Sequence, residues 1–515
     1  MEPAPMESAQ DVVVIGGGIA GLTATALLAR HGLRVTLLEA HHQFGGCAGT
    51  FRRGPYTFDV GATQVAGLEP GGSHARLLAH LGLALPAAEP LDPGCVVDLA
   101  DGTEPIRLWR QPERWTQERE WHFPGSAPFW SLCERLHRSN WAFARQDPVL
   151  PIRSGWDLLQ TLGAIGPGNL ASAPLSLLSV ADLLRLSGCQ HDERLRRFLD
   201  LQLRLYSQEP AARTAALYGA TVLQMAQEPQ GLWHLQGSMQ ILSDQLAAAI
   251  RRDRGTLLLR HRVVALERHP VRGTWQVRAQ RANGDSLQLE AADVVCSLPP
   301  QCLPTLIPAV SAGASRDPMP PSYRHHLEHL NAPSGALVLY AAVSRSALPA
   351  DCPAHLQRDG NTPGSLFVSV SREGDGRAPH GEATLIASVF TDPDSWCDLP
   401  DAEYRQRKQD VQQTIVATLQ DWLGIPSEQW RHQELATPRS FAFWTGRPRG
   451  IVGGLGQSPA RFGPFGLASR TPVANLWLCG DAIHPGEGTA GVSLSALMAC
   501  RQLTAQRGLP LELKH

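Results

Sequence analysis

A mixed α/β fold is predicted, with one domain assembled from both chain ends and a second domain interleaved. Three stretches of the 515-residue chain predict it. DVVVIGGGIAGLTATALLARHGLRVTLLEA (11–40) reads as strand, glycine turn, helix, strand. NLWLCGDAIHPGEGTAGVSLSALMAC (475–500) reads as short strand, Gly-Asp, Pro/Gly turn, helix. Between them, a helix from about Met239 to Arg251 precedes GTLLLRHRVVALE, read as a strand, and TWQVRAQ and SLQLEAADVVCSLPP read as further strands.

In the first stretch a β-branched run, Val12 to Ile15, leads into G-x-G-x-x-G at Gly16, Gly18 and Gly21. A small-residue helix, Leu22 to Arg30, and a second strand, Arg34 to Leu38, end in Glu39, about 20 residues on, as a dinucleotide fingerprint requires. The glycines allow a tight turn, close approach to a pyrophosphate and helix–strand contact. The helix start offers unpaired N–H groups and partial positive charge to the phosphates. Glu39 would accept from ribose hydroxyls, which disfavours a 2′-phosphate. Three glycines plus the terminal acid exceed what helix packing alone explains, so a Rossmann-type unit is expected.

Length allows two or three domains. A net charge of −2 excludes an electrostatic nucleic-acid binder. Ten scattered cysteines without a C-x-x-C pair argue against a disulfide framework or a zinc ribbon and fit a reducing compartment. MEPAPMESAQD lacks a basic n-region and a cleavage site, so no signal peptide is expected. The uncharged stretch 12–29 is punctuated by glycines and is not a membrane span. The motif H-x-x-E-H at His325, Glu328 and His329 lacks a further ligand and is read as a solvated helix; no metal is expected.

An NAD domain would continue with βαβ units. Here HHQFGGCAGTFRRGPYTFDVGAT follows instead. Gly45-Gly46, an extended segment, and Gly61-Ala62-Thr63 read as a loop lying along a long cofactor, which points to FAD. At the other end Gly480-Asp481 reads as the second flavin signature, an acid bonding the ribityl chain or pyrophosphate. The helix starting near Gly491-Val492 would present N–H groups to the flavin.

Together these residues resemble the carotenoid desaturase/isomerase family of FAD flavoproteins, within the amine-oxidase-like superfamily. YTFDVGATQVAGLEPGG and PGEGTAGVSLS carry the resemblance. DVGATQVAGLEPGG and SFAFWTGRPRGIVGG look most like the cyanobacterial carotenoid C-3′,4′ desaturases. The resemblance implies an amine-oxidase/phytoene-desaturase-like fold: an FAD domain from 1–75, 231–300 and 451–515, a mostly helical, membrane-facing substrate block at 76–230, and a sheet part at 301–450. It implies that Val263 meets the adenine through its backbone, and that Glu487 lies near the flavin as an acid/base. It implies a double bond introduced at the acyclic end of a hydroxylated carotenoid by hydride transfer to flavin, with quinone or oxygen as electron acceptor. Poly-cis lycopene isomerisation is the alternative; amine oxidation and a non-catalytic prenyl-protein escort share the fold. Three positions depart from the family wording: Gly45-Gly46-Cys47, where arginine is usual at the third place and Arg52 or Arg53 would compensate; Gly61-Ala62-Thr63; and Gly237-Ser238.

Such substrates dissolve in lipid. The stretch 154–188 is apolar, poor in charge and broken by Gly and Pro, and reads either as a patch lying in a bilayer interface or as a buried helical hairpin. Peripheral attachment on the cytoplasmic side of a thylakoid or plasma membrane is the expectation. FAFWTG (441–446) is read as a core strand or a tunnel wall, and 374–383 as a loop.

Overall fold

The computed structural model describes residues 10–309, 317–330 and 334–513. Residues 1–9, on which the signal-peptide expectation rests, lie outside them.

Two large sheets organise the chain. In the first, Thr256–Leu258, Val35–Leu38, Gln10–Ile15, Ser286–Cys296 and Leu476–Leu478 run parallel in that order. Ser286–Cys296 is forked. Its first half pairs antiparallel with Trp275–Arg281, which pairs with His261–Arg268. Burial follows that split: the first half alternates, while its last four residues are all buried, as a parallel strand covered on both faces must be. Ile19–Arg30, rich in Ala, Leu and Thr, is buried all round. It packs against Gln240–Arg252 and Thr489–Gln506, so one core joins Leu22 and Leu27 to Ile250 and Leu503. The predicted strand GTLLLRHRVVALE is two strands, broken at Arg260, which has φ 60°.

The second sheet has the order Trp430–Ala436, Gly335–Ser344, Glu382–Thr391, Leu366–Val370, His355–Arg358, Val96–Asp98, Ile106–Arg107. Helix Asp401–Leu423 covers one face through Ile415, Leu419 and Leu423. The hairpin Thr50–Arg53/Tyr56–Asp59 meets the other, where Tyr56 and Phe58 pack with Val338, Tyr340 and Ile386. A helical lobe, including Pro112–His122, Ala127–Ala144, Glu193–Ser207 and Ala216–Val222, has its own aromatic core of Trp115, Phe123, Phe129, Trp130 and Phe198.

FAFWTG is not a strand. Pro438–Thr445 is a helix with a capping box between Thr437 and Ser440 and a left-handed Gly446 closing it; these end signals outweigh the β preference of the aromatics. Phe441 is buried, but Phe443 and Trp444 are exposed. His325 lies on helix Pro321–Glu328, and no cluster of His, Cys, Asp and Glu suited to a metal exists among the described residues.

The stretch 154–188 is not a buried hairpin throughout: Val180, Leu183 and Leu184 of helix Val180–Leu186 are core, but the part before them is exposed on its apolar side. On helix Gly155–Ala164 the polar Asp157 and Thr161 face inward, where Asp157 accepts from Gln502 at 3.0 Å and Thr161 donates to the Val149 carbonyl at 2.6 Å. Leu158, Leu159 and Leu162 face out, and Leu170 and Leu177 continue the exposed apolar surface. The helix is amphipathic with the usual orientation reversed. No helix among the described residues is long and apolar enough to cross a membrane.

Candidate active site

The first glycine turn is shaped by close approach. A methyl group on Gly21 would lie 1.9 Å from the Gly16 carbonyl oxygen, so glycine there lets the helix start directly against the turn. Gly16 itself has φ +96°. Gly17 N–H donates to the Glu39 carboxylate at 2.5 Å, and His41 N–H to its other oxygen at 2.7 Å. The Gly45–Gly46 loop seats on this turn: Gly45 N–H donates to the Gly17 carbonyl at 2.9 Å, and a methyl on Gly46 would sit 3.3 Å from the Gly18 Cα. A methyl on Gly18, by contrast, would meet open space.

These groups line one cavity of about 1710 Å³, larger than the roughly 300–1,000 Å³ that holds one drug-sized ligand. Gly16, Gly18, Glu39, Gly45, Gly46, Gly61, Ala62, Thr63, Gly480, Asp481, Glu487, Gly491 and Val492 all line it. Gly21 sits behind the turn. Val263 does not line the cavity: it is buried in the strand His261–Arg268, opposite Ala279. Thr63 turns its hydroxyl to Ser369 at 2.6 Å. The two arginines expected to compensate for Cys47, Arg52 and Arg53, both line the cavity, and Arg53 is ion-paired with Glu434 at 2.6 Å.

Helices Ile19–Arg30 and Thr489–Gln506 both begin on glycine, Gly18 and Gly488, without a side-chain cap. Both starts open on this cavity. Neither start has a side-chain acceptor for its first N–H groups, and with the open space over Gly18 and the carboxylate at the end of the second strand the arrangement fits a dinucleotide.

Arg447 is a site residue that sequence reasoning missed. It pairs with Asp481 at 2.8 Å and donates to the Ile451 and Gly453 carbonyls at 2.7 and 2.6 Å. Glu487 accepts from Gln208 Nε2 at 2.8 Å and Gly454 N–H at 3.3 Å on one oxygen, while the other is buried without a hydrogen-bond partner. Burial, with Asp481 nearby, pushes the Glu487 carboxyl up to about 8, so the acid is mostly protonated at neutral pH. Tyr206, Tyr218, Phe462 and His484 line the same end, and burial lowers His484 to about 4.

Also missed was a buried charge cluster behind the hairpin. Asp59 accepts from Arg377 at 3.0 Å, from Thr50 at 3.0 Å and from Met239 N–H at 2.8 Å. Arg377 reaches Asp375 at 3.1 Å, and Asp375 bonds His234 at 2.8 Å. The segment 374–383 is thus more than a surface loop. It ties the hairpin to the second sheet and to the start of Gln240–Arg252.

The family described as flavin containing amine oxidoreductase matches residues 19–504. The chain belongs to this family. This flavin oxidoreductase takes FAD as its cofactor, and its fold is that of the amine oxidases. Putrescine oxidase bound to putrescine superposes with a TM-score of 0.65 at 18% identity, covering 98% of this chain and all of that one. Cyclohexylamine oxidase from Brevibacterium oxydans IH-35A gives 0.62 at 19%, over 97% and 98%. The chloroplastic prolycopene isomerase of Arabidopsis thaliana is 24% identical over 98% of this chain and 84% of its own length. All-trans-retinol 13,14-reductase of Danio rerio is 22% identical over 98% and 87%. These relatives place the oxidoreductase with carotenoid desaturase/isomerase-like flavoproteins.

Proposed function

We propose that this flavin oxidoreductase acts on carbon–carbon bonds of a carotenoid, introducing the C-3′,4′ double bond at the acyclic end of a hydroxylated substrate. The observation that carries the reading is the cavity beyond the cofactor loops. Phe143, Leu201, Leu205, Leu217, Val222 and Met225 line it, a wall suited to a long apolar chain. Two acids at its flavin end offer little to an ammonium group. Asp481 is committed to Arg447, and Glu487 is held mostly neutral. That weighs against amine oxidation. Prolycopene isomerases and retinol reductases, named for polyenes, support a polyene here. The escort alternative is weakened by the retained cofactor loops.

Bound FAD supplies the two-electron acceptor, and quinone or oxygen takes the electrons on. The protein orients the polyene and excludes water. The polyene spreads the developing positive charge, so a strong base is not needed; Glu487, mostly protonated at neutral pH, would take the leaving proton only in its ionised fraction. The partner surface is lipid: the exposed leucines of 154–177 adjoin Ser176, which lines the cavity with Phe143 and Leu150. Substrate would pass from the cytoplasmic face of a membrane into the cavity.

The test is a product assay with FAD-loaded protein in liposomes, given a 1′-hydroxylated ψ-end carotene or poly-cis lycopene. Loss of two hydrogens and a red-shifted spectrum with the first is expected. Unchanged mass with a cis-to-trans spectral change in the second would establish the isomerase instead.

A further inference from the structure

We propose that Gln208 is a positioning residue for Glu487, fixing the acid so that its proton rides on the oxygen left free at the flavin end of the cavity. This rests on the reading of the cavity as a flavin redox site.

Gln208 ends helix Glu193–Ser207 in the left-handed region, φ 59°, a conformation that glycine or asparagine adopts at less cost. Its side chain is what the position uses. Oε1 accepts Ser334 N–H at 2.9 Å, which fixes the amide's orientation, because a backbone N–H can face only the oxygen end. Nε2 is thereby aimed at Glu487, donating at 2.8 Å, with the Gly454 carbonyl 3.4 Å away. The same Glu487 oxygen receives Gly454 N–H. An oxygen accepting two N–H groups does not also carry the acid proton, so the proton belongs on the other oxygen, which is buried without a partner among the described residues. Glycine at 453 makes room: a methyl there would lie 2.1 Å from both Gln208 Nε2 and Glu487 Oε2.

The charged and titratable groups facing Glu487 are Asp481, which raises its pKa, Arg447, which lowers it, and the buried Tyr218 phenol. His484 on the same loop is neutral. Burial is the largest influence, and the Gln208 hydrogen bond opposes it. Removing that donor must therefore raise the titration further.

The experiment uses full-length FAD-loaded protein without substrate. Flavin absorbance is followed from pH 6 to 10 in wild type, Q208L, Q208E and E487Q. Wild type should titrate near 8. E487Q should abolish the transition. Q208L should move it up by about 0.5–1 unit, the equivalent of one net hydrogen bond, and isosteric Q208E, which adds an acid, should also move it up. An unshifted midpoint in both Gln208 variants overturns the proposal, as does a wild-type titration that E487Q leaves in place or the lack of any titration. If the midpoints move as expected but no carotenoid is converted, the substrate reading fails and the Gln208 assignment stands.

Discussion

The reversed helix offers the most direct test of lipid contact. Leu159, Leu170 and Leu177 are 67%, 66% and 64% exposed. Burying a whole leucine is favourable by roughly 1.5–3 kcal/mol, so immersing two-thirds of each contributes about 1–2 kcal/mol, and about 3–6 kcal/mol for the three. The triple variant L159S/L170S/L177S should therefore lose about 10²–10⁴-fold in partition to vesicles, at 1.4 kcal/mol per decade. These side chains already lie in water, so each change should alter folding stability by no more than about 0.5 kcal/mol. Flotation of wild-type and variant protein with liposomes measures the partition, and thermal melting checks the fold. A variant that floats as well as wild type, with its melting unchanged, would refute the argument that this surface meets lipid.

Other outcomes follow from the packing and the buried charges. G21A forces a methyl onto the Gly16 carbonyl, and at about 1–3 kcal/mol of overpacking FAD retention should fall roughly 5- to 150-fold, read from the flavin-to-protein ratio at limiting FAD. R377M leaves Asp59 and Asp375 buried without their cation and should cost about 3–5 kcal/mol; chemical denaturation measures it, and adding D59N should recover part of the loss. Burial holds His74 and His355 neutral, lowering them to about 4 and about 3. The unfolded chain binds protons below its histidine value of about 6.5 that the folded chain refuses, so stability is intact above that pH and falls as pH drops. For the pair the slope is about 3 kcal/mol per pH unit between about 6 and 4. A denaturation midpoint flat over that window would contradict it.

The parts of the site legible in the sequence are those a single loop builds. Gly16, Gly18 and Gly21 stand at helix-start spacing, and Glu39 ends the next strand, so local geometry alone brings Gly16, Gly18 and Glu39 to one cavity with Gly21 behind the turn. The same holds from Gly480 to Val492. Arg447 and Gln208 carried no such signal, because each acquires its role from a segment far away. Gln208 and Glu487 are 279 residues apart, and Arg377 and Asp59 are 318 apart. Composition misled at 438–445, where aromatics favoured a strand while Thr437, Pro438 and Gly446 specified helix ends. Along 154–177 it revealed the apolar surface but not its direction, because the polar face found buried partners in Gln502 and the Val149 carbonyl.

Cofactor and fold depend on one another here. Two helices, one near each chain end, leave their first N–H groups without side-chain caps and turn them to the same cavity. Unmet backbone donors cost free energy comparable to lost hydrogen bonds, so an anionic group bound at these helix starts would be stabilised by both chain ends at once. The first helix start would hold a dinucleotide phosphate, and the second would face an electron-rich edge of the cofactor. Behind them, Asp59 links the covering hairpin to Gln240–Arg252 and, through Arg377, to the sheet of the second domain. The hairpin that lines the cavity is thus held by the same buried contacts that anchor the start of Gln240–Arg252.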